Sequence, residues 1–424
     1  MEVYSQLCFL IITLVAIGWF AKRLWVIRKT ILLGKPFEAY DQPLLRWKNV
    51  LLLALGQKKM FRKPFVAIMH LLVYIGFIII NIELVEIIAD GILGTHRIFE
   101  KPLGSLYPIL INSFEILAVL VLAACVVFLI RRNVLKLKRF LSQDLNGWPR
   151  SDANYILIAE IILMSLFLIM NTAESNTSFI ISSHLKFYFN SFSTLQLSTI
   201  EHSAWWLHIL GIYAFMNYLP YSKHLHIILA FPNAYYAPLT AKGTMHNMAM
   251  IQNEVLYAMQ PELAPKNAVA PESFGAKEAT DLTWKNILDA YSCTECGRCS
   301  MACPANTTGK LLSPRKIMMS TRDRMESISK NISINNVFVP DGKTLLHDYI
   351  TVEELRACTT CNACVEECPV SISPMDIILE LRRSLIMEES NAPSEWNSMF
   401  SNIENNFAPW KFSPDDRDAW TKQD

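Results

Sequence analysis

Charge is scarce in this chain. Only 18% of its 424 residues are charged, while 52% are hydrophobic. Soluble domains carry nearer ~25% charged residues, so a wholly soluble chain is excluded and part of it is expected in lipid. The formal net charge is +1, which leaves no basic excess for a nucleic-acid partner. The first apolar run, EVYSQLCFLIITLVAIGWF, lacks a preceding basic region and a small-residue cleavage site, and is expected to be a retained span rather than a signal peptide. Cysteine is rare outside two clusters. Eight of the ten lie at 293–303 and 358–368, and only Cys8 and Cys125 sit in apolar stretches. This excludes the disulfide scaffold of a small secreted chain and points to metal thiolates in a reducing compartment.

What is present begins with length. A chain of 424 residues predicts two or three units. Five apolar runs reach the ~20 residues that cross a bilayer, near 3–21, 65–89, 107–130, 153–171 and 203–230, the last interrupted by Pro220. Residues 22–63 hold eleven Lys and Arg, and 131–152 hold RRNVLKLKR and Arg150, whereas 90–106 and 172–202 hold only Arg97, Lys101 and Lys186. Positive residues stay inside. The expected arrangement is a multi-pass protein of the cytoplasmic (inner) membrane, N-terminus outside, with everything after about 231 cytoplasmic. PLLRWKNVLLLALGQKKM has the apolar and basic faces of a helix lying on the membrane surface.

The clusters read Cys293-x2-Cys296-x2-Cys299-x3-Cys303-Pro304 and Cys358-x2-Cys361-x2-Cys364-x3-Cys368-Pro369. This is the bacterial two-cluster ferredoxin spacing, in which the fourth cysteine reaches to the other cluster. One [4Fe-4S] is therefore expected on Cys293, Cys296, Cys299 and Cys368, the other on Cys358, Cys361, Cys364 and Cys303. Zinc sites pair two separated C-x2-C units and match this pattern poorly. Gly297 and Ala363 are expected to let the loop backbone approach the sulfides. The intervening SPRKIMMSTRDRMESISKN and TVEELRACTT read as helices capped by Ser313 and Thr351, so the ferredoxin is expected to be helical.

Histidines inside apolar helices are functional candidates. His70 lies a short way into the second span, and His208 and His226 lie in EHSAWWLHILGIYAFMNYLPYSKHLHIILAF. The latter two are 18 residues apart, about 27 Å on a straight helix, and cannot share one iron. His70 and His226 match in depth at the cytoplasmic end and are paired as axial ligands of haem b. His208 lies deeper, with His202, His96 and His184 as poor partners, and stays open between a second haem and a buried core histidine. His224, beside Lys223, is read as interfacial. Asn81, Glu83 and Glu86 line a quinone pocket or a proton path, or mark an interfacial helix end.

The membrane half resembles the haem b subunit of respiratory nitrate reductase (its gamma subunit) and of membrane heterodisulfide reductases, through His70 and LHILGIYAFMNYLPYSKHLHI. That family's second histidine in span two would fall near Ile80 and is missing. FGAKEATDLTWKNILDAYSCTECGRC, LLSPRKI, ACTTCNACVEECPV and LGKPFEAYDQPLLRWKNVLLLALGQKKMFRKP are more similar to the membrane-bound electron-transfer-flavoprotein:menaquinone oxidoreductases and heterodisulfide-reductase-like iron–sulfur proteins. The resemblance implies an all-α chain: a transmembrane haem b domain at 1–231, a linker at 232–280, a helical two-[4Fe-4S] ferredoxin at 281–389 and a partner-docking tail at 390–424, whose aromatics otherwise fold back on the ferredoxin. Those proteins usually continue into CCG domains, so a separate CCG-domain subunit is implied as partner, with an electron-transfer flavoprotein beyond it and quinone in the lipid. The expected function is electron transfer between that partner, the clusters, haem b and quinone. An assembly factor for a respiratory oxidase and a redox sensor are the alternatives.

Overall fold

A computed structural model describes residues 3–39, 41–174, 179–241, 243–265, 273–411, 413–416 and 418–422. These residues are helical, with no β-strand among them. Five long helices form the first half: α1 (Val3–Ile31), α2 (Pro64–Leu93), α3 (Tyr107–Leu129), α4 (Trp148–Ala173) and α5 (Thr194–Tyr218). Proline in the first turn opens α2, α3 and α4, where a missing N–H costs nothing. A Ser193/Gln196 capping box opens α5. Helix α4 packs between α3 and α5, α2 lies on α3, and α1 crosses α2 and α5. Phe114, Ile111 and Phe167 fill the α3–α4 core. Four stretches, Val3–Ile31, Pro64–Leu93, Glu100–Val134 and Trp148–Ala173, are long and apolar enough to cross a membrane.

The fifth expected span differs. Helix α5 ends at Tyr218, and the chain turns through Leu219–Tyr221 and Lys223–Leu225 before α6 (His226–Tyr235) begins. Pro220 lies in this turn, where its missing N–H and its ring favour an interruption of the helix. His208 and His226 therefore sit on separate helices, and the straight-helix separation does not apply.

In the second half α7 (Trp284–Ser292), α9 (Pro314–Asn335) and α11 (Pro374–Met387) share one core, and α8 (Arg298–Ala302) and α10 (Ala363–Glu367) pack on each other and on α9 and α11. Ser313 and Thr351 cap their helices, accepting from the Lys316 and Glu354 amides. Ile27 and Ile31 of α1 and Leu225 belong to this same core. Gly34 makes the approach possible, since a Cβ there would stand 2.7 Å from the Trp284 amide nitrogen. Next to it, Lys35 exchanges backbone hydrogen bonds with Leu282 and Trp284. Asn233, wholly buried, donates to the Val370 carbonyl and accepts from Lys285. The division at 231/232 thus cuts through α6, and Ala276 and Ala279 already belong to the ferredoxin core. Part of the expected linker, residues 266–272, lies outside the described residues. In the tail, Trp396, Trp410 and Trp420 are exposed.

Buried ion pairs lock the halves together. Arg315 donates to Asp144 at 2.7 Å and to the Arg139 carbonyl at 2.9 Å. Lys223 meets Glu295 at 2.6 Å, and Arg322 meets the same carboxylate at 2.8 Å. Burial pushes Asp144 up, but hydrogen bonds from Arg315 and Ser142 outweigh it and hold the carboxyl below its ordinary 3.8. Burial likewise raises Glu295, and the charges of Lys223 and Arg322 outweigh it. Replacing Arg315 with alanine leaves Asp144 buried without its cation and should cost about 3–5 kcal/mol, read as a lower thermal midpoint and faster proteolysis between the halves. A carboxylate with a lowered folded pKa stabilises above its unfolded pKa and loses that contribution as pH falls through the folded value. The wild-type midpoint should therefore fall more steeply than that of Asp144→Asn as pH drops below about 4.

Candidate functional site

The two cysteine runs fold alike. In the first, Glu295 and Gly297 have φ of +51° and +72°; in the second, Thr360 and Asn362 have +54° and +59°. The partner of Gly297 is thus Asn362, rather than the expected Ala363, because asparagine tolerates the left-handed region. At Gly297 a Cβ would also stand 2.6 Å from Arg315 Nη1. Each run wraps a cavity. One, of about 350 Å³, is lined by Cys293, Cys296, Cys299, Cys364 and Cys368; the other, of about 330 Å³, by Cys303, Cys358, Cys361 and Cys364. The fourth cysteine of each run, Cys303 or Cys368, faces the other run's cavity. Amides of Thr360 and Ile372 donate to Cys358 Sγ and Cys368 Sγ, both at 3.4 Å. Burial pushes the Cys293 and Cys364 thiols up to about 12. Such thiols ionise only against bound cations, and an iron–sulfur core supplies them.

The cavities differ in surroundings. Around the first, Arg315 is 1% exposed and Arg139 and Arg298 stand beside Cys296. A cluster with four thiolates is a net anion, and this cationic collar suits it. The second lies at the surface, where Cys361 is exposed and Arg382 donates to the Cys358 carbonyl at 2.5 Å.

The first cavity abuts the membrane half at His70. Arg298 donates to the Lys59 carbonyl at 3.3 Å. Two residues away, Gln57 Oε1 accepts from His70 Nδ1 at 3.0 Å. His226 Nδ1 likewise meets the Lys223 carbonyl at 3.0 Å. His70 and His226 lie close enough to interact electrostatically. With Nδ1 donating to an oxygen, each ring presents a free Nε2 lone pair, the state an axial ligand needs. The residues fit a haem. His224 departs from its expected interfacial place: its ring packs 5.5 Å from His226 and 5.6 Å from Phe215.

His208 is in a third place. It lines a space of about 640 Å³ among α2, α3, α4 and α5, with Gly76, Ile80, Asn81, Glu83 and Glu160. Glu86 is absent from it. That carboxylate accepts from the Phe99 amide at 2.9 Å and from Tyr107, so the expected quinone role of Glu86 gives way to a structural one. Of His202, His96 and His184, none lines this space. Gln57, Arg97 and Glu160 are additions of the structure. Glu160, alone among apolar neighbours in ANYILIAEIILMSLF, carried a readable signal; Gln57 and Arg97, in loops, carried none.

Residues 292–372 match the 4Fe-4S dicluster domain model. "Probable iron-sulfur-binding oxidoreductase FadF" of Bacillus subtilis is 27% identical over 98% of this chain and 60% of its own length. "EtfAB:quinone oxidoreductase" of Syntrophomonas wolfei is 25% identical over 97% of this chain and 58% of its own. "Probable membrane-anchored ferredoxin" of Chromohalobacter salexigens is 30% identical over 36% and 24%. The chain thus spans about 60% of the length of the first two relatives. No solved structure matches it. The first is named an iron–sulfur-binding oxidoreductase, the second a quinone oxidoreductase and the third a ferredoxin, and the chain, with its apolar helices and its 4Fe-4S dicluster domain, fits the resemblance carried by its ferredoxin motifs.

Proposed function

We propose that this chain is the membrane electron-transfer subunit of a quinone-linked oxidoreductase. The observation that carries the reading is the short connection from the first cysteine cavity to His70: Arg298 donates to the Lys59 carbonyl, and two residues back along the chain Gln57 accepts from His70. Cys293, Cys296, Cys299 and Cys368 hold one [4Fe-4S] and Cys303, Cys358, Cys361 and Cys364 the other; His70 and His226 hold haem b. Bound there, these groups supply one-electron chemistry between a soluble partner and the quinone pool. The chain's own residues set the order. Exposed Cys361 puts the second cavity at the surface a partner can reach, and the buried first cavity faces the membrane half. Gln57 and the Lys223 carbonyl fix the imidazole tautomers. The exposed tryptophans of the tail offer a partner a surface.

The partner reading is a CCG-domain, heterodisulfide-reductase-like subunit with an electron-transfer flavoprotein beyond it. It rests on the motif resemblance and on the relative named for EtfAB and quinone. The basic loops at 22–63 and 131–152 favour the ferredoxin on the cytoplasmic side of the inner membrane.

Replacing His70 or His226 with alanine should abolish the reduced haem b absorbance of the purified protein, whereas His224→Ala should keep it; unaltered spectra in both of the first two variants would end the haem assignment. Cys368→Ala and Cys303→Ala should each halve the non-haem iron and remove a different cluster signal in low-temperature electron paramagnetic resonance. Gln57→Leu, which takes the acceptor from His70 Nδ1, should retain haem and raise its midpoint potential, because a less basic imidazole stabilises the oxidised iron less. An unshifted potential would deny Gln57 that role.

A further inference from the structure

The space around His208 holds buried polar atoms that the fold leaves unsatisfied. His208 is 3% exposed, and neither ring nitrogen has a hydrogen-bond partner. Glu83 is 2% exposed; its Oε1 accepts from Arg97 Nη1 at 3.3 Å, while its Oε2 has no partner. Orphaned buried polar atoms are rare and costly and call for a ligand. Both residues line the same space, whose other walls, Gly76, Ile80 and Met164 among them, are mostly apolar. Phe77, also in the lining, is 40% exposed on the surface of α2, so the space opens sideways toward lipid.

Two polar grips in an apolar slot open to the bilayer suit a flat lipophilic molecule with oxygens at opposite ends. Resting on the electron-transfer reading above, we propose that this space binds the quinone head group, with His208 and Glu83 donating to its two carbonyl oxygens and Glu83 exchanging protons with the face of the bundle away from the iron–sulfur module. A rival haem would need a second ligand, and the lining contains no other histidine, only Met164.

A way out from Glu83 runs through Arg97. Arg97 Nη2 holds Glu174 at 2.6 Å, and Glu174 stands 3.9 Å from His96 Nε2, which is equally near Glu201. His96 has a side chain 67% exposed. Arg97 keeps its own proton; it pins two carboxylates, Glu83 and Glu174, near enough to interact. Reducing a quinone to a quinol adds two electrons and two protons. The electrons come singly from the chain's iron centres, each oxidised as it delivers one; one proton comes from the Glu83 carboxylic acid, which regains it through Glu174, and the other from the His208 N–H, replaced by a second proton that Glu83 passes to the ring's other nitrogen. Quinol oxidation runs the same balance backwards.

The test uses the purified full chain and a hydroxyquinoline-N-oxide quinol analogue whose fluorescence is quenched on binding. His208→Gln and Glu83→Gln should each weaken the analogue at least about tenfold, the scale of one lost buried hydrogen bond, and leave the reduced haem spectrum unchanged. Ile80→Phe, which fills the slot without touching a polar group, should do the same if a Glu83 variant fails to fold. Unchanged analogue affinity in His208→Gln and Ile80→Phe overturns the proposal, as does loss of haem absorbance in His208→Gln. A wild-type protein without haem would instead overturn the electron-transfer reading, so the two failures are distinguishable.

Discussion

The guanidinium of Arg315 is the pin on which the rest of the structure turns. It sits at the start of α9, is almost wholly buried, and reaches in two directions. Toward the ferredoxin loop it donates to the Glu295 carbonyl at 3.4 Å; toward the membrane half it holds Asp144, Ser142 and the Arg139 carbonyl. A buried charge tolerates such a place only when every donor is used. The loop that carries Cys293, Cys296 and Cys299 is thereby clamped to the loop between α3 and α4. A second clamp, Lys223 on Glu295, joins that loop to the turn preceding His226. The position of the first cysteine cavity relative to His70 and His226 is thus set by buried ion pairs and a shared apolar core, and a swinging linker plays no part in it.

The same physics sorts the acidic groups among the helices. A carboxylate in an apolar bundle is costly unless paired or hydrogen-bonded. Glu115 accepts from the Ile181 and Ser182 amides and from Asn171. Glu86 takes the Phe99 amide and Tyr107. Asp90 takes Thr95 and the Arg97 and Ile98 amides. These three tie loops to helix ends. Glu83 is half satisfied, and Glu160 faces the open space beside it. That difference separates acids that build the bundle from acids available to a ligand.

Much of this was legible in residue order. Cysteine spacing suggested that the fourth cysteine of each run crosses over, because a C-x2-C-x2-C loop can curl in few ways around a cluster; in the structure Cys303 and Cys368 each line the other run's cavity, while Cys364 lines both. Apolar runs located the four long apolar helices, α2, α3 and α4 to within about five residues at each end, while α1 runs ten residues past its expected end. Pro220 signalled an interruption, but whether it kinks a helix or ends it depends on what receives the chain afterwards, here the ferredoxin core beneath α6. Asn362 was overlooked because a left-handed turn residue is recognised easily only when it is glycine. Glu86 and Glu83 look alike in GFIIINIELVEIIAD. Three residues apart, they share one helix face, and only the loop from Thr95 to Phe99 distinguishes them by covering one. His224 was misjudged for a similar reason: a neighbouring lysine suggests water, yet Lys223 is itself drawn inward to Glu295 and the Pro149 carbonyl, and the histidine follows it.

Position along α2 then joins these pieces. His70 stands six residues from the helix start, beside the ferredoxin, and Glu83 thirteen residues further on, about 20 Å away at 1.5 Å per residue. Electrons reaching the bundle from the iron–sulfur side and protons reaching Glu83 through Arg97 and Glu174 would meet from opposite faces. Between them lies an apolar interior, where separating or joining charge is expensive. A chain with both groups at one end would move no net charge through that interior. Here the cationic collar of the first cavity lies beside one end of α2 and the carboxylates around Arg97 beside the other, so the proposed quinone reaction, in either direction, would be coupled to the electrical potential across the bundle by where these residues stand.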